Sequence, residues 1–276
     1  MESTSQHTSP ERGAPAGASG LATAFDAWRR AGHRALIPYI TAGHPSPAET
    51  GDLLRRLSDA GADIIEVGVP FSDPLADGPT IQRSSQRALE QGTTLPWVLD
   101  TIADFRAERD TRVVVFGYLN PVMAFGVDRF IRACASAAAD GVLLTDLPLG
   151  ADDEIERAFD AAGLPLIPLI APTTLPDRAR QIARRARAFL YYVSRTGVTG
   201  AGDTLRSSLA TELDALRAET DRPIAVGFGI SRPEHAAFVA EHADGVVVGS
   251  ALINAIDLGG LAGAERFLRE LRSVVP

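Results

Sequence analysis

The sequence predicts an α/β protein, a single-domain (β/α)8 barrel of the TIM-barrel class, and three observations predict it. Eight short apolar runs alternate with longer amphipathic ones, the pattern of strand-helix units around a parallel sheet. The units average roughly 32 residues over residues 21–276, in line with the ~250 residues of such a barrel. Polar side chains gather just after the apolar runs, at the strand ends where barrels carry their chemistry. A doubly wound sheet is the runner-up. The first strand opposes it, because Thr41-Ala42-Gly43-His44-Pro45 offers one glycine where a dinucleotide fingerprint needs three.

Residues 1–20 are rich in Ser, Pro, Gly and Ala and lack the apolar core of a signal peptide, so they are expected to be a disordered tail before a barrel domain at 21–276. The predicted strands are Ala35–Ile40, Ile64–Val67, Val113–Gly117, Gly141–Thr145, Leu166–Ile170, Phe189–Val193, Ile224–Gly227 and Gly245–Val248. Each is short and rich in Val, Ile or Leu, as strands buried on both faces are. Helical patterns lie between them at Pro47–Ala60, Ile81–Gln91, Asp128–Ala138, Asp152–Ala162, Asp177–Ala186, Leu205–Ala218 and Pro233–Glu241, with a last one at Leu261–Val275. Leu95–Arg109 reads as a further helix inserted between the second and third units.

Composition narrows the chemistry. All 27 basic residues of the 276-residue chain are arginine, so Schiff-base lysine chemistry, pyridoxal phosphate held through a lysine of this chain and a Walker-type phosphate loop are excluded. A net charge of −8 argues against nucleic acid as a partner. Arg178, Arg180, Arg184, Arg185 and Arg187 read as a solvated helix face. No stretch has the ~18 uninterrupted apolar residues of a membrane span. The single cysteine, Cys134, cannot form an internal disulfide and sits in an apolar helical pattern, so it reads as inert in a cytoplasmic protein. His7, His33, His44, His235 and His242 form no ligand-spaced cluster, and no metal site is expected.

The stretch Glu66–Pro79, EVGVPFSDPLADGP, carries the catalytic expectation. It puts Glu66 inside an apolar strand, where burial raises a carboxylate's pKa, and Asp77 on a wetter loop where it stays ionised. Two carboxylates in different surroundings suit general acid–base work. Pro70, Pro74 and Pro79 stiffen the loop that brings Phe71, Asp73 and Asp77 over the strand end, and Val69, Pro70, Phe71 and Pro74 are expected to expose an apolar surface for a partner. Thr41, Tyr118, Asn120, Asp146, Thr173 and Thr174 mark the same rim, Tyr118 as a substrate-binding candidate; singly, the threonines and Asn120 equally suit caps or turns. The glycines of Val226–Ser231 and Gly249–Ile253 follow the seventh and eighth strands, where barrels bind phosphate through backbone N–H groups. Ser194–Asp203 reads as a lid or as a plain mobile loop.

LIPYITAGHP, EVGVPFSDPLADGPTIQ, GYLNPV, APTT, YYVSRTGVTG, VGFGIS and GSALI resemble, in that order, the alpha chains of tryptophan synthase over about residues 21–275. The resemblance implies a (β/α)8 barrel that cleaves indole-3-glycerol phosphate into indole and glyceraldehyde 3-phosphate. It also implies a pyridoxal-phosphate beta chain as partner in an alpha2-beta2 tetramer, with no cofactor in this chain. It places the catalytic residues on Glu66 and Asp77, substrate contacts on Tyr191 and Thr199, and the phosphate site on Gly200, Gly229, Gly249 and Ser250. One departure is His44, where many members have aspartate. Competing readings are a stand-alone lyase that releases free indole, a phosphate-binding barrel that only activates a partner, and a sugar-phosphate isomerase.

Overall fold

The computed structural model describes residues 20–193, 202–227 and 229–276, without the side chains of residues 202–208. Eight parallel strands, β1 (Ala35–Thr41), β2 (Ile64–Gly68), β3 (Arg112–Gly117), β4 (Gly141–Leu144), β5 (Leu169–Ile170), β6 (Leu190–Val193), β7 (Ile224–Gly227) and β8 (Gly245–Val248), pair in the order β4-β3-β2-β1-β8-β7-β6-β5. The remaining seam, β4 to β5, is closed by a parallel bridge between Val142 and Leu166. There the Val142 N–H donates to Pro165 O at 2.9 Å and the Ile167 N–H to Val142 O at 2.8 Å. The sheet is therefore a closed barrel. Its fifth strand is shorter than the expected Leu166–Ile170, because Pro165 and Pro168 have no N–H to give to a ladder.

Eleven helices among the described residues surround it: α1 (Gly20–Ala31), α2 (Pro47–Asp59), α3 (Pro79–Glu90), α4 (Leu95–Glu108), α5 (Leu119–Phe125), α6 (Val127–Ser136), α7 (Asp153–Ala161), α8 (Pro176–Arg185), α9 (Gly202–Glu219), α10 (Pro233–His242) and α11 (Ser250–Arg272). Proline sits in the first turn of α2, α3, α4, α8 and α10, where its missing N–H costs nothing. The Asp152 carboxylate caps α7 by accepting from Glu154 N and Ile155 N, each at 3.0 Å. α11 breaks at Gly260, whose φ of 60° and ψ of −156° only glycine adopts readily, so the expected Leu261–Val275 helix is its second half. No described helix is long and apolar enough to cross a membrane.

α1 and the short α5 add to the sequence reading. Residues 1–19 of the expected tail lie outside the described residues, and Gly20 already belongs to α1. α1 places Leu21 and Phe25 in one cluster with the inward-facing Ile37, Ile64, Val114, Leu143, Ile167 and Phe189, so the helix plugs the N-terminal mouth of the barrel. The Phe25 and Phe189 rings lie 5.1 Å apart. Truncation of this fully buried ring in Phe25→Ala is expected to cost about 3–5 kcal/mol, read as a lower urea midpoint at unchanged slope.

The same end of the barrel shows how this fold treats a structural carboxylate. Asp63, Asp140 and Asp244 stand just before β2, β4 and β8, and each accepts an N–H from a neighbouring strand: Leu36 at 2.8 Å, Val113 at 2.9 Å and Ile224 at 2.8 Å. Each also has an arginine partner: Arg272 at 2.9 Å, Arg112 at 2.7 Å, and Arg29 and Arg217. Hydrogen bonds from Arg29 and the Ile224 N–H, with the charge of Arg217, hold Asp244 below the usual carboxylate range although burial pushes the other way. Acidic groups that only hold the barrel together are paired twice over.

Candidate active site

Glu66 is the exception. It lies in the middle of β2, in register with Tyr39 of β1 and Val114 of β3, on the inward side that Ile64 and Gly68 share by the two-residue repeat of a strand. It is fully buried, and neither of its oxygens has a hydrogen-bond partner. Burial alone raises its pKa from 4.5 to about 8, so at neutral pH it carries a proton. The arginine partner of a structural carboxylate is not there.

Asp77 ends the loop that leaves β2. Phe71 anchors that loop, its N–H donating to Ser85 Oγ at 2.9 Å and its carbonyl accepting from the same hydroxyl at 3.1 Å. Gln82 reaches back from α3 to the Asp77 carbonyl at 2.9 Å. The Tyr118 hydroxyl accepts from Ala76 N at 3.1 Å and donates to the Asp77 carboxylate. Asp77 is half-buried rather than on a wet loop: burial lifts its pKa to about 6 against the opposing bond from Tyr118. It remains ionised at pH 7.

The two carboxylates meet around two phenols. Tyr39 and Tyr191 are held neutral first by burial; the charge of Asp77 adds to this at neutral pH, and that of Glu66 only once Glu66 ionises. Glycines make room for both rings, since a Cβ at Gly68 would stand 2.3 Å from the Tyr39 hydroxyl and one at Gly227 would stand 2.3 Å from that of Tyr191. Above them opens a cavity of about 480 Å3, the size of a small-molecule site. Asp77, Gly78, Phe116, Thr145, Leu169 and Tyr191 are among its lining residues. So are Gly227, Gly229, Ser231, Gly249, Ser250 and Asn254, from the segments after β7 and β8. Glu66 itself is fully buried and does not belong to this lining.

The segments after β7 and β8 suit an anion. α11 begins at Ser250 with Gly249 as its N-cap, and the first N–H groups of a helix have no partner within it. Gly229 takes a φ of 40°, which a side chain would resist. α10 starts only at Pro233, so of the two glycine loops the second alone runs straight into a helix. Thr145, Ser231 and Asn254 belong to this cavity and are not in the sequence-predicted set; Ser231 lies two residues past Gly229 and Asn254 four past Ser250. Thr199 and Gly200, with the rest of 194–201, lie outside the described residues.

Other expectations fall away from the cavity. Thr174 is a turn residue, accepting from Ala171 N at 3.1 Å, and Asp146 accepts from Leu119 N at 2.7 Å. Cys134 is buried in α6, which pushes its thiol up to about 12. His44 is buried 3.2 Å from Asp257 Oδ1 on α11, and burial lowers its pKa. Among the described residues no cluster of His, Cys, Asp and Glu could hold a metal. The expected exposed surface of Val69, Pro70, Phe71 and Pro74 is corrected: Pro70 is buried and the other three are half-buried, because the loop folds back on α3 and Phe71 lies 5.3 Å from the Tyr118 ring. The exposed apolar side chain there is Leu75, at 92%.

A family model, that of the tryptophan synthase alpha chain, matches residues 25–273. The tryptophan synthase alpha chain of Geobacter sulfurreducens is 48% identical over 85% of this chain and 89% of its own. That of Chloroflexus aurantiacus is 46% identical over 93% and 98%. Among solved structures, tryptophan synthase subunit alpha of Legionella pneumophila superposes with a TM-score of 0.87 at 37% identity, over 94% of this chain and 99% of that one. A Mycobacterium tuberculosis tryptophan synthase chain gives 0.87 at 36%, with the same coverage. A pair of carboxylates without arginine partners, a glycine-walled cavity and this degree of likeness along nearly the whole barrel lead to one conclusion: the chain belongs to the tryptophan synthase alpha chain family.

Proposed function

We propose that this enzyme is a carbon–carbon lyase that cleaves indole-3-glycerol phosphate into indole and glyceraldehyde 3-phosphate in L-tryptophan biosynthesis. The observation that carries the reading is one cavity lined both by an ionised Asp77 and by a helix N-terminus flanked by glycines, with a proton-bearing Glu66 buried beside the phenols that also feel Asp77. Gly229, Gly249 and Ser250, with Gly200, hold the phosphate, while Tyr191, Tyr118 and Thr199 orient the rest of the substrate.

The chemistry needs only these groups. Indole is a poor carbanion, but a proton placed on its C3 turns the ring into an indolenine that accepts the electrons of the breaking bond. Glu66 supplies that proton, and the Asp77 carboxylate accepts the ring N–H and stabilises the positive charge that develops. As the bond from C3 to the glycerol carbon breaks, its electron pair returns to the ring. The hydroxyl on that glycerol carbon becomes an aldehyde and gives its proton to Glu66. The enzyme ends as it began, and the reaction as written uses no cofactor in this chain.

The partner is a pyridoxal-phosphate beta chain that consumes the indole, in a cytoplasmic alpha2-beta2 assembly. In support, Leu75, Met123 and Leu175 stand 92%, 59% and 72% exposed on segments that follow β2, β3 and β5, all at the cavity end of the barrel. Such side chains near one rim suit a covered surface. A stand-alone lyase differs in one respect: its turnover is the same with and without the beta chain.

The test is indole release from indole-3-glycerol phosphate across pH. The reaction needs Asp77 ionised and Glu66 protonated, so kcat/KM is expected to be bell-shaped, with limbs at about 6 and about 8. A profile that climbs steadily past pH 9, or no indole release at all, contradicts the reading.

A further inference from the structure

Beside Glu66 runs a buried line of three hydroxyls that the cleavage chemistry does not use. Tyr39 Oη lies 3.3 Å from Thr41 Oγ1, which lies 2.6 Å from Ser84 Oγ, which donates to the Ile81 carbonyl at 2.8 Å. All three residues are buried. A hydroxyl has one proton, and a carbonyl can only accept. Ser84 spends its proton on Ile81, so Thr41 must donate to Ser84, and Tyr39 must donate to Thr41.

We propose that this chain of fixed direction turns the Tyr39 proton away from Glu66, making Tyr39 a positioning residue that keeps Glu66 in its proton-carrying form. The proposal rests on the reading of Glu66 as the proton donor and adds what holds it ready. Tyr39 is the register neighbour of Glu66 on the inward face, and the absence of a side chain at Gly68 lets its hydroxyl lie against β2. A phenol there with a free O–H would donate to a carboxylate and favour its ionised form. With its proton committed, the Tyr39 oxygen offers only lone pairs to the barrel interior, which favour a protonated carboxyl. The other titratable groups around Glu66 are Tyr191 of β6, itself neutral, and Asp77, which with Glu66 acts on both phenols; Tyr118 lies beyond, next to Tyr39 and Asp77. The chain also ties the barrel floor to α3, the helix that begins next to Asp77.

The experiment is direct titration of the Glu66 carboxyl in the full chain by carbon-13 NMR, with E66Q to assign the signal. Thr41→Val keeps the shape of the side chain and removes the acceptor, freeing the Tyr39 proton for Glu66. The expected result is a Glu66 midpoint lower by about one pH unit. Ser84→Ala, cutting the line one link further on, moves it in the same direction and serves if the valine variant folds poorly. In a Y39F background neither substitution has a phenol proton to release, and no shift is expected. An unmoved midpoint in both T41V and S84A, or the same shift in the Y39F background, overturns the proposal. Failure of the catalytic reading looks different: E66Q would then still release indole, whatever the titration shows.

Discussion

Glu66→Gln is expected to lower indole release about 10²–10⁴-fold, the usual loss when a positioned acid–base group goes, while substrate still binds through the glycine segments after β7 and β8. The same substitution should also change how stability depends on pH. In the folded chain Glu66 titrates at about 8, against an ordinary value of 4.5 that the unfolded chain retains. Between those values the folded state holds a proton that the unfolded state has released, so stability is fully present below 4.5 and falls as pH rises toward 8. At ~1.4 kcal/mol per pH unit of pKa difference, the wild type forfeits roughly 3–6 kcal/mol by pH 9. Glutamine cannot ionise and escapes this loss, although its buried amide lacks partners and costs about 1–3 kcal/mol at every pH. The variant is therefore expected to be the less stable protein near pH 5 and the more stable one near pH 9. Urea melts at both values check the crossing, and parallel stability curves would remove Glu66 from its buried, proton-bearing state.

That trade explains why so much of this site was legible. A carboxylate in an apolar strand is costly unless it is paired or used, and the contrast with Asp63, Asp140 and Asp244 shows both solutions in one fold. The acidic residues at strand starts are paired with arginines and backbone N–H groups; the one in mid-strand is not. The glycine loops were legible for a related reason, since glycine at two strand ends leaves backbone as the only binding surface. The strand positions followed from runs of Val, Ile and Leu.

What stayed hidden has physical causes too. A parallel strand buried on both faces has no polar alternation, so nothing in Leu36–Ile40 says that Ile37 and Tyr39 face inward while Leu36 and Ile40 face the helices. Tyr39 as the neighbour of Glu66 is therefore a fact of register, which needs β1 and β2 side by side. α1 escaped notice because a polar, low-complexity stretch precedes it, although Leu21, Phe25 and Trp28 recur at helical spacing. The direction of the Asp77 shift was missed because loop residues are assumed wet, whereas this loop folds onto α3 through Ser85 and onto Tyr118. α5 is short, and Pro121 in its first turn disguised it as plain loop.

Asp77→Asn is expected to reduce kcat/KM by about two to four orders of magnitude, in the range found when a single electrostatic partner of a transition state is lost. Asparagine has nearly the same shape and its carbonyl can still accept from Tyr118 and from the indole N–H, so geometry survives and only the charge goes. The loss should appear in kcat more than in KM, because the phosphate is held by other groups of the cavity, around Gly229, Gly249 and Ser250. The pH profile separates this from mere disturbance of the loop. In the wild type the acid limb near 6 belongs to Asp77 and the alkaline limb near 8 to Glu66. In the asparagine variant the acid limb should vanish, because nothing at that position titrates, while the alkaline limb stays. A variant within tenfold of wild type, with both limbs in place, would mean that the charge on the ring nitrogen is stabilised from elsewhere. Tyr118 would then be the first group to re-examine, since its hydroxyl touches the same carboxylate.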